Sequence, residues 1–143
     1  MTLLRRSLLA LVVALVAVVV GVAVSIPVDG WLNRDRVAAL TNAVADGATP
    51  VAVYLARPAD DDGRLPVVVM IHEFWGLNEA LRSKADLLAT EGYLVVAPDT
   101  LRGTTTGWLP KALWHTLSTP DERVIEDLDT VIAWLRARED VDP

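Results

Sequence analysis

The run from Leu8 to Val24 contains only Leu, Val, Ala and one Gly, so a helix built from it has no polar face to turn toward water. Such a segment either lies wholly inside a protein or leaves water for lipid. Residues 7–26 reach the roughly 17–25 needed to cross a bilayer, beyond the roughly 7–15 of a cleavable signal core. Arg5 and Arg6 precede the run, and basic residues hold their flank on the cytoplasmic side. The sequence therefore predicts a cytoplasmic N-terminus over 1–6 and a transmembrane signal anchor over 7–26. The remainder of this single-pass membrane protein is then extracytoplasmic, and the lipid bilayer is a partner through 7–26. Ala23-Val24-Ser25 offers the small residues that a signal peptidase accepts, so a cleaved signal is the competing reading.

Beyond Ser25 stand 11 Lys/Arg against 19 Asp/Glu, a net charge of −8. That acidic balance argues against nucleic acid as a partner. The chain has no cysteine, which removes disulfides, thiolate metal sites and a cysteine nucleophile within these residues. Asp60-Asp61-Asp62-Gly63 lacks the alternating ligands and distal Glu of a calcium loop and reads as a solvated hairpin turn. No metal and no cofactor are expected. Residues 27–46 read as a linker or short helix.

From residue 47 the pattern becomes regular. Pro50–Ala56 is rich in β-formers. Leu65–His72 (LPVVVMIH) is a continuous apolar run, expected as a strand buried on both faces. Asn78 is placed to cap a helix reaching Glu91, with Leu81, Ala85 and Leu88 on its apolar face and Gly92 at its end. Tyr93–Ala97 is a second buried strand, closed by Pro98-Asp99. Strand, helix, strand predicts a parallel pair. Trp108–Leu117 reads as a short helix. Thr119-Pro120-Asp121-Glu122 reads as a capping box opening a helix to about Arg138. Its apolar face comprises Val124, Ile125, Leu128, Val131, Ile132 and Leu135.

Ligands in open α/β sheets bind at the carboxyl ends of strands, where VVVMIHEFWGLN (Val67–Asn78) puts His72, Glu73, Phe74 and Trp75. This string, with EGY at Glu91–Tyr93 and APD at Ala97–Asp99, resembles the dienelactone hydrolase family. The resemblance covers nearly all of the chain after the apolar run. It implies an α/β fold, the N-terminal half of a three-layer α/β-hydrolase sandwich, truncated over 47–143. It also implies a thiol hydrolase of small-molecule esters or lactones, with a Cys in a G-x-C-x-G elbow and an Asp and His beyond it. All three would fall after Pro143. By the same resemblance Glu73 is the glutamate beside the missing thiol, and the Phe74 backbone N–H is half of the oxyanion hole. Arg102 resembles a substrate-carboxylate arginine, and Trp75 would line the substrate cleft.

Alternatives stand beside this reading. His72 is expected to hydrogen-bond within its loop, and His115 to sit on a helix surface. Phe74, Trp75 and Trp108 serve equally as packing. Ser83 and Ser118 have no G-x-S-x-G context, so neither is a credible nucleophile. The chain could instead be a fragment of a serine-type esterase, or a non-enzymatic, membrane-tethered half-domain. As it stands, the 143-residue chain is expected to be inactive.

Overall fold

The computed structural model describes residues 2–59 and 63–142, so Asp60-Asp61-Asp62, expected as a hairpin turn, lies outside the described residues. α1 (Thr2–Asn33) is one helix that continues through Pro27. Proline has no N–H for the carbonyl four residues back, yet two contacts to the rest of the protein straddle this position. Trp108 Nε1 donates to Ser25 Oγ at 2.8 Å, and Lys111 Nζ pairs with Asp29 at 3.2 Å. They splint the helix across its one missing bond.

Three elements occupy the stretch that reads as a linker or short helix: the end of α1, α2 (Arg36–Leu40) and β1 (Ala43–Ala45). β1 is too short to show a period. Asn42 lengthens its pairing, its side-chain amide donating to the Leu55 carbonyl at 2.9 Å and accepting from the Leu55 N–H at 2.7 Å.

β2 (Val51–Ala56), β3 (Val67–Val69) and β4 (Leu94–Pro98) complete a mixed sheet in the order β1-β2-β4-β3. β3 and β4 are parallel, as expected from their connection, while β1 and β4 both run antiparallel to β2. β4 is central and wholly buried. β3 departs from the expectation of burial on both faces. It is three residues long and only half-buried, because it lies at the sheet's edge. Beside it Leu65 forms a single parallel bridge with Val141. The Leu65 N–H donates to Asp140 O at 3.0 Å, and the Asp142 N–H donates to Leu65 O at 2.9 Å.

Alternation along the strands sends side chains to two cores. Tyr54, Ala56, Val95 and Ala97 pack with α2 and α3 (Glu79–Ala89), through Val37, Leu40, Ala85 and Ala89. Val51, Val53, Leu94 and Val96 pack with α5 (Asp121–Arg136), through Val131 and Leu135. The result is helix, sheet, helix. The Tyr54 hydroxyl donates to the Asp86 carboxylate, fastening β2 to α3.

α3 starts as its sequence predicts, with Asn78 Oδ1 accepting from the Leu81 N–H at 3.0 Å. It closes at Thr90, two residues before Gly92, which takes φ +94 beyond the helix end. α4 (Leu109–Ser118) matches the short helix expected from Trp108. α5 departs twice from expectation. Pro120 occupies the cap position without a side-chain bond, while Thr119 Oγ1 accepts from Arg123 at 3.3 Å, so the capping box is not made. The buried stripe is Asp127, Val131 and Leu135, an i, i+4, i+8 row, and it leaves Ile125 and Ile132 at 57% and 39% exposed.

Candidate active site

At the carboxyl end of β3 the Met70 N–H still reaches Val96 O, at 2.8 Å, and the chain then leaves the sheet. A tight turn follows, closed by the Gly76 N–H on Glu73 O at 3.0 Å. Gly76 sits at φ +81, and a Cβ there would lie 2.3 Å from the Thr104 carbonyl oxygen. Only glycine lets the two loops approach so closely. The facing loop grips Trp75, whose carbonyl accepts from the Thr106 N–H at 3.0 Å and Thr105 Oγ1 at 3.1 Å.

His72 locks the same turn to the end of β4. Its Nδ1 lies 2.8 Å from Glu73 O, an acceptor only, so Nδ1 carries the proton. Nε2 lies 3.0 Å from the Thr100 hydroxyl, which can donate or accept. With both nitrogens engaged, His72 is a clamp between strand ends.

The turn leaves two groups uncommitted. Among the described residues no acceptor takes the Phe74 N–H, and no cation pairs with the exposed Glu73 carboxylate. The segment Ile71–Glu73 forms a wall shared by two clefts of about 300 and 310 Å³. One is completed by Phe74, Thr100, Leu101 and the α4 residues His115 and Thr116. The other is completed by Trp75, Asn78, Leu81 and Lys84. The larger hollow beside Tyr54 and Pro58 lies away from this turn and holds no such pair of groups. The Phe74 and Trp75 rings stand 4.6 Å apart at 36°.

Glu73 borders both clefts, Phe74 only the first and Trp75 only the second, and Arg102 stands apart from them. It lines neither cleft. At φ +51 in the loop after β4, it faces α5 and grips the fully buried Asp127, Nη2 to Oδ1 at 2.7 Å and Nε to Oδ2 at 3.3 Å. This two-pronged bond uses part of the guanidinium's five-donor fork, and the side chain keeps 40% of its surface open.

Sequence patterning missed the two buried acids beneath the site. Asp99 is 2% exposed, and burial raises its carboxyl above the usual 3.8 against the pull of the Gly103 and Leu101 N–H groups. Its Oδ2 takes the Gly103 N–H, while Oδ1 has no partner among the described residues. His115, expected on a helix surface, walls a cleft and is half-buried. Burial, then Lys111 and Arg123, lowers its pKa below 6.5, so it is neutral at pH 7. Ser83 donates to Glu79 O within α3, far in role from any nucleophile. Among the described residues no three carboxylates or imidazoles converge as metal ligands.

Known proteins bear on this arrangement. Residues 51–143 match the dienelactone hydrolase family. The chain is 37% identical over 105 residues to a provisionally named carboxymethylenebutenolidase of Escherichia coli (strain K12), covering 70% of this chain and 39% of that protein. A Salmonella typhi protein of the same name is 38% identical over 86 residues, covering 57% and 32%. A crystal structure of a provisionally named dienelactone hydrolase from Klebsiella pneumoniae subsp. pneumoniae MGH 78578 superposes with TM-score 0.59 at 32% identity. It covers 71% of this chain and 47% of its own. The chain thus spans well under half the length of the curated relatives it matches. With the matched span, the mixed sheet and the two-sided helical cover in agreement, this chain belongs to the dienelactone hydrolase family.

Proposed function

We propose that this chain contributes the oxyanion-binding turn and the nucleophile-facing glutamate of a membrane-anchored hydrolase of small esters or lactones. The observation that carries the reading is the Glu73–Gly76 turn, with an uncommitted N–H and an uncommitted carboxylate at the carboxyl end of a parallel strand. A fixed N–H aimed at a developing oxyanion lowers a barrier by about 3 kcal/mol. Glu73 would hold and polarise a neighbouring thiol, and Trp75 would shape the cleft for the substrate. Arg102 lines neither cleft, so it would meet a substrate carboxylate only where one reaches past them, with the donors that Asp127 leaves open. A thiol and its Asp and His partners would have to come from polypeptide outside these 143 residues, which contain no cysteine. The bridge between Leu65 and Val141 supports a following strand beside β3, where an elbow would rise next to Glu73.

The anchor is part of the same proposal. Among the described residues one helix is long and apolar enough to cross a membrane, and its most apolar window is 0% buried. That favours a bilayer over a protein core as its surroundings.

The test has two arms. The 143-residue chain alone should hydrolyse simple esters and lactones no faster than background, because a positioned nucleophile and base are both missing. Turnover lost on Ser83→Ala or Ser118→Ala would overturn the assignment. In a protein extended to family length, Glu73→Gln should lower kcat about tenfold or more with melting unchanged, since the side chain is exposed and unpaired. Unaltered kcat would remove Glu73 from the mechanism.

A further inference from the structure

The outer face of α4 is apolar along its length. Leu109, Leu113 and Leu117, at i, i+4 and i+8, are 50%, 51% and 85% exposed, with Trp114 beside them at 55%. Between Gly107 and Pro120 the only charged side chain is Lys111. It is 4% exposed and spends its charge on Asp29. An exposed helix face without a charge is a poor partner for water and a good one for lipid.

Its position relative to α1 says which surface covers it. Trp108 bonds to Ser25, one residue before the end of the candidate span, and Thr106 Oγ1 donates to Asp29 at 2.7 Å. Asp29 lies three residues past Ile26, about 4.5 Å along the helix. The headgroup zone is roughly 5–7 Å deep on each side of a bilayer. The first turn of α4 is thus held at headgroup depth. Trp31, Trp108 and Trp114, at 64%, 43% and 55% exposed, stand in the same region, where indoles favour the membrane interface.

We infer that α4 is a membrane-surface helix, its Leu109/Leu113/Trp114/Leu117 face resting at the headgroup boundary of the bilayer that α1 crosses. The inference rests on the anchor reading of α1. His115, nearly opposite this face, and Thr116, at its margin, line the cleft that holds Glu73. The cleft then lies about one helix diameter, some 10 Å, from lipid.

The chain's lack of cysteine allows clean single-site spin labelling. Leu113→Cys, Leu117→Cys, Val13→Cys and Lys84→Cys would be labelled in the full chain, reconstituted in phosphatidylcholine vesicles. Access to oxygen, which concentrates in lipid, is compared with access to a water-soluble nickel chelate. Labels at 113 and 117 should favour oxygen several-fold over the label at 84, with 13 deepest. Tryptophan emission of the unsubstituted chain should fall on acyl-brominated lipid. A label at 13 in lipid with 113 and 117 in water overturns the role of α4 and leaves the anchor standing. Labels at 113 and 117 shielded from both probes mean protein covers the face, and also overturn it. A label at 13 in water removes both readings.

Discussion

Burial raises the Asp99 carboxyl above its ordinary 3.8, and its second oxygen finds no donor among the described residues. The folded state therefore prefers Asp99 protonated. This contribution to stability is complete below pH 3.8 and is lost as pH rises through the raised folded value. Asp99→Asn should melt like the parent in acid, gain on it as pH rises through that window, and keep a constant advantage above it. Paired thermal melts across pH check this, and a difference independent of pH would contradict it. Arg102 answers a separate question. Its bond to the fully buried Asp127 means that Arg102→Met leaves a buried carboxylate without its cation, so melting should fall. An arginine held only for substrate would leave melting unmoved and raise KM alone in the extended enzyme. The sequence made Arg102 visible as a loop cation near Asp99. It hid the pairing, because Asp127 sits among polar neighbours on a helix whose inward row is revealed only by packing.

The same concealment operates on whole elements. Six apolar positions on α5 suggested one broad face, yet the sheet accepts the row Asp127, Val131, Leu135 and turns Ile125 and Ile132 outward. Leu135→Ala should cost about 2–5 kcal/mol, and Ile132→Ala only a small part of that. Chemical denaturation of the two variants distinguishes the rows. The Glu73–Gly76 turn gives a second test. Forcing Gly76→Ala into φ +81 costs on the order of 1–3 kcal/mol from backbone strain alone, and its Cβ meets the Thr104 carbonyl besides. Denaturation should show the loss. The α3 cap and the central apolar strand were legible because local chemistry sets them: Asn78 and a run of apolar β-formers. β1 and the capping of α5 were not. Asn42 and Arg123 decide them through partners 13 and 4 residues away.

At the scale of the molecule, the strand–helix–strand order predicted the parallel pair of β3 and β4 and the family resemblance implied the layers, while the antiparallel pairing of β2 and the fixed junction between α1 and the α/β unit had no sequence signal. Residues 27–143 expressed without the apolar run should bind hydrophobic dye and associate with concentration. The β3 edge is half-open, Ile71 is 57% exposed and Leu117 is 85% exposed. Sedimentation and dye fluorescence check this, and a sharp two-state melt of a monomer would show instead that the unit is self-sufficient. The junction has a mechanical consequence. Ser25 and Asp29 are keyed to Trp108 and Lys111, so α1 meets the α/β unit as a shaft meets a coupling. Each residue added ahead of Ser25 would lengthen the shaft by about 1.5 Å and turn its far end by about 100°. Two would leave that end facing nearly backward, and seven would bring it within about 20° of its starting azimuth. The count of residues ahead of Ser25 thereby sets the compass direction of the cleft relative to anything that grips the far end of α1.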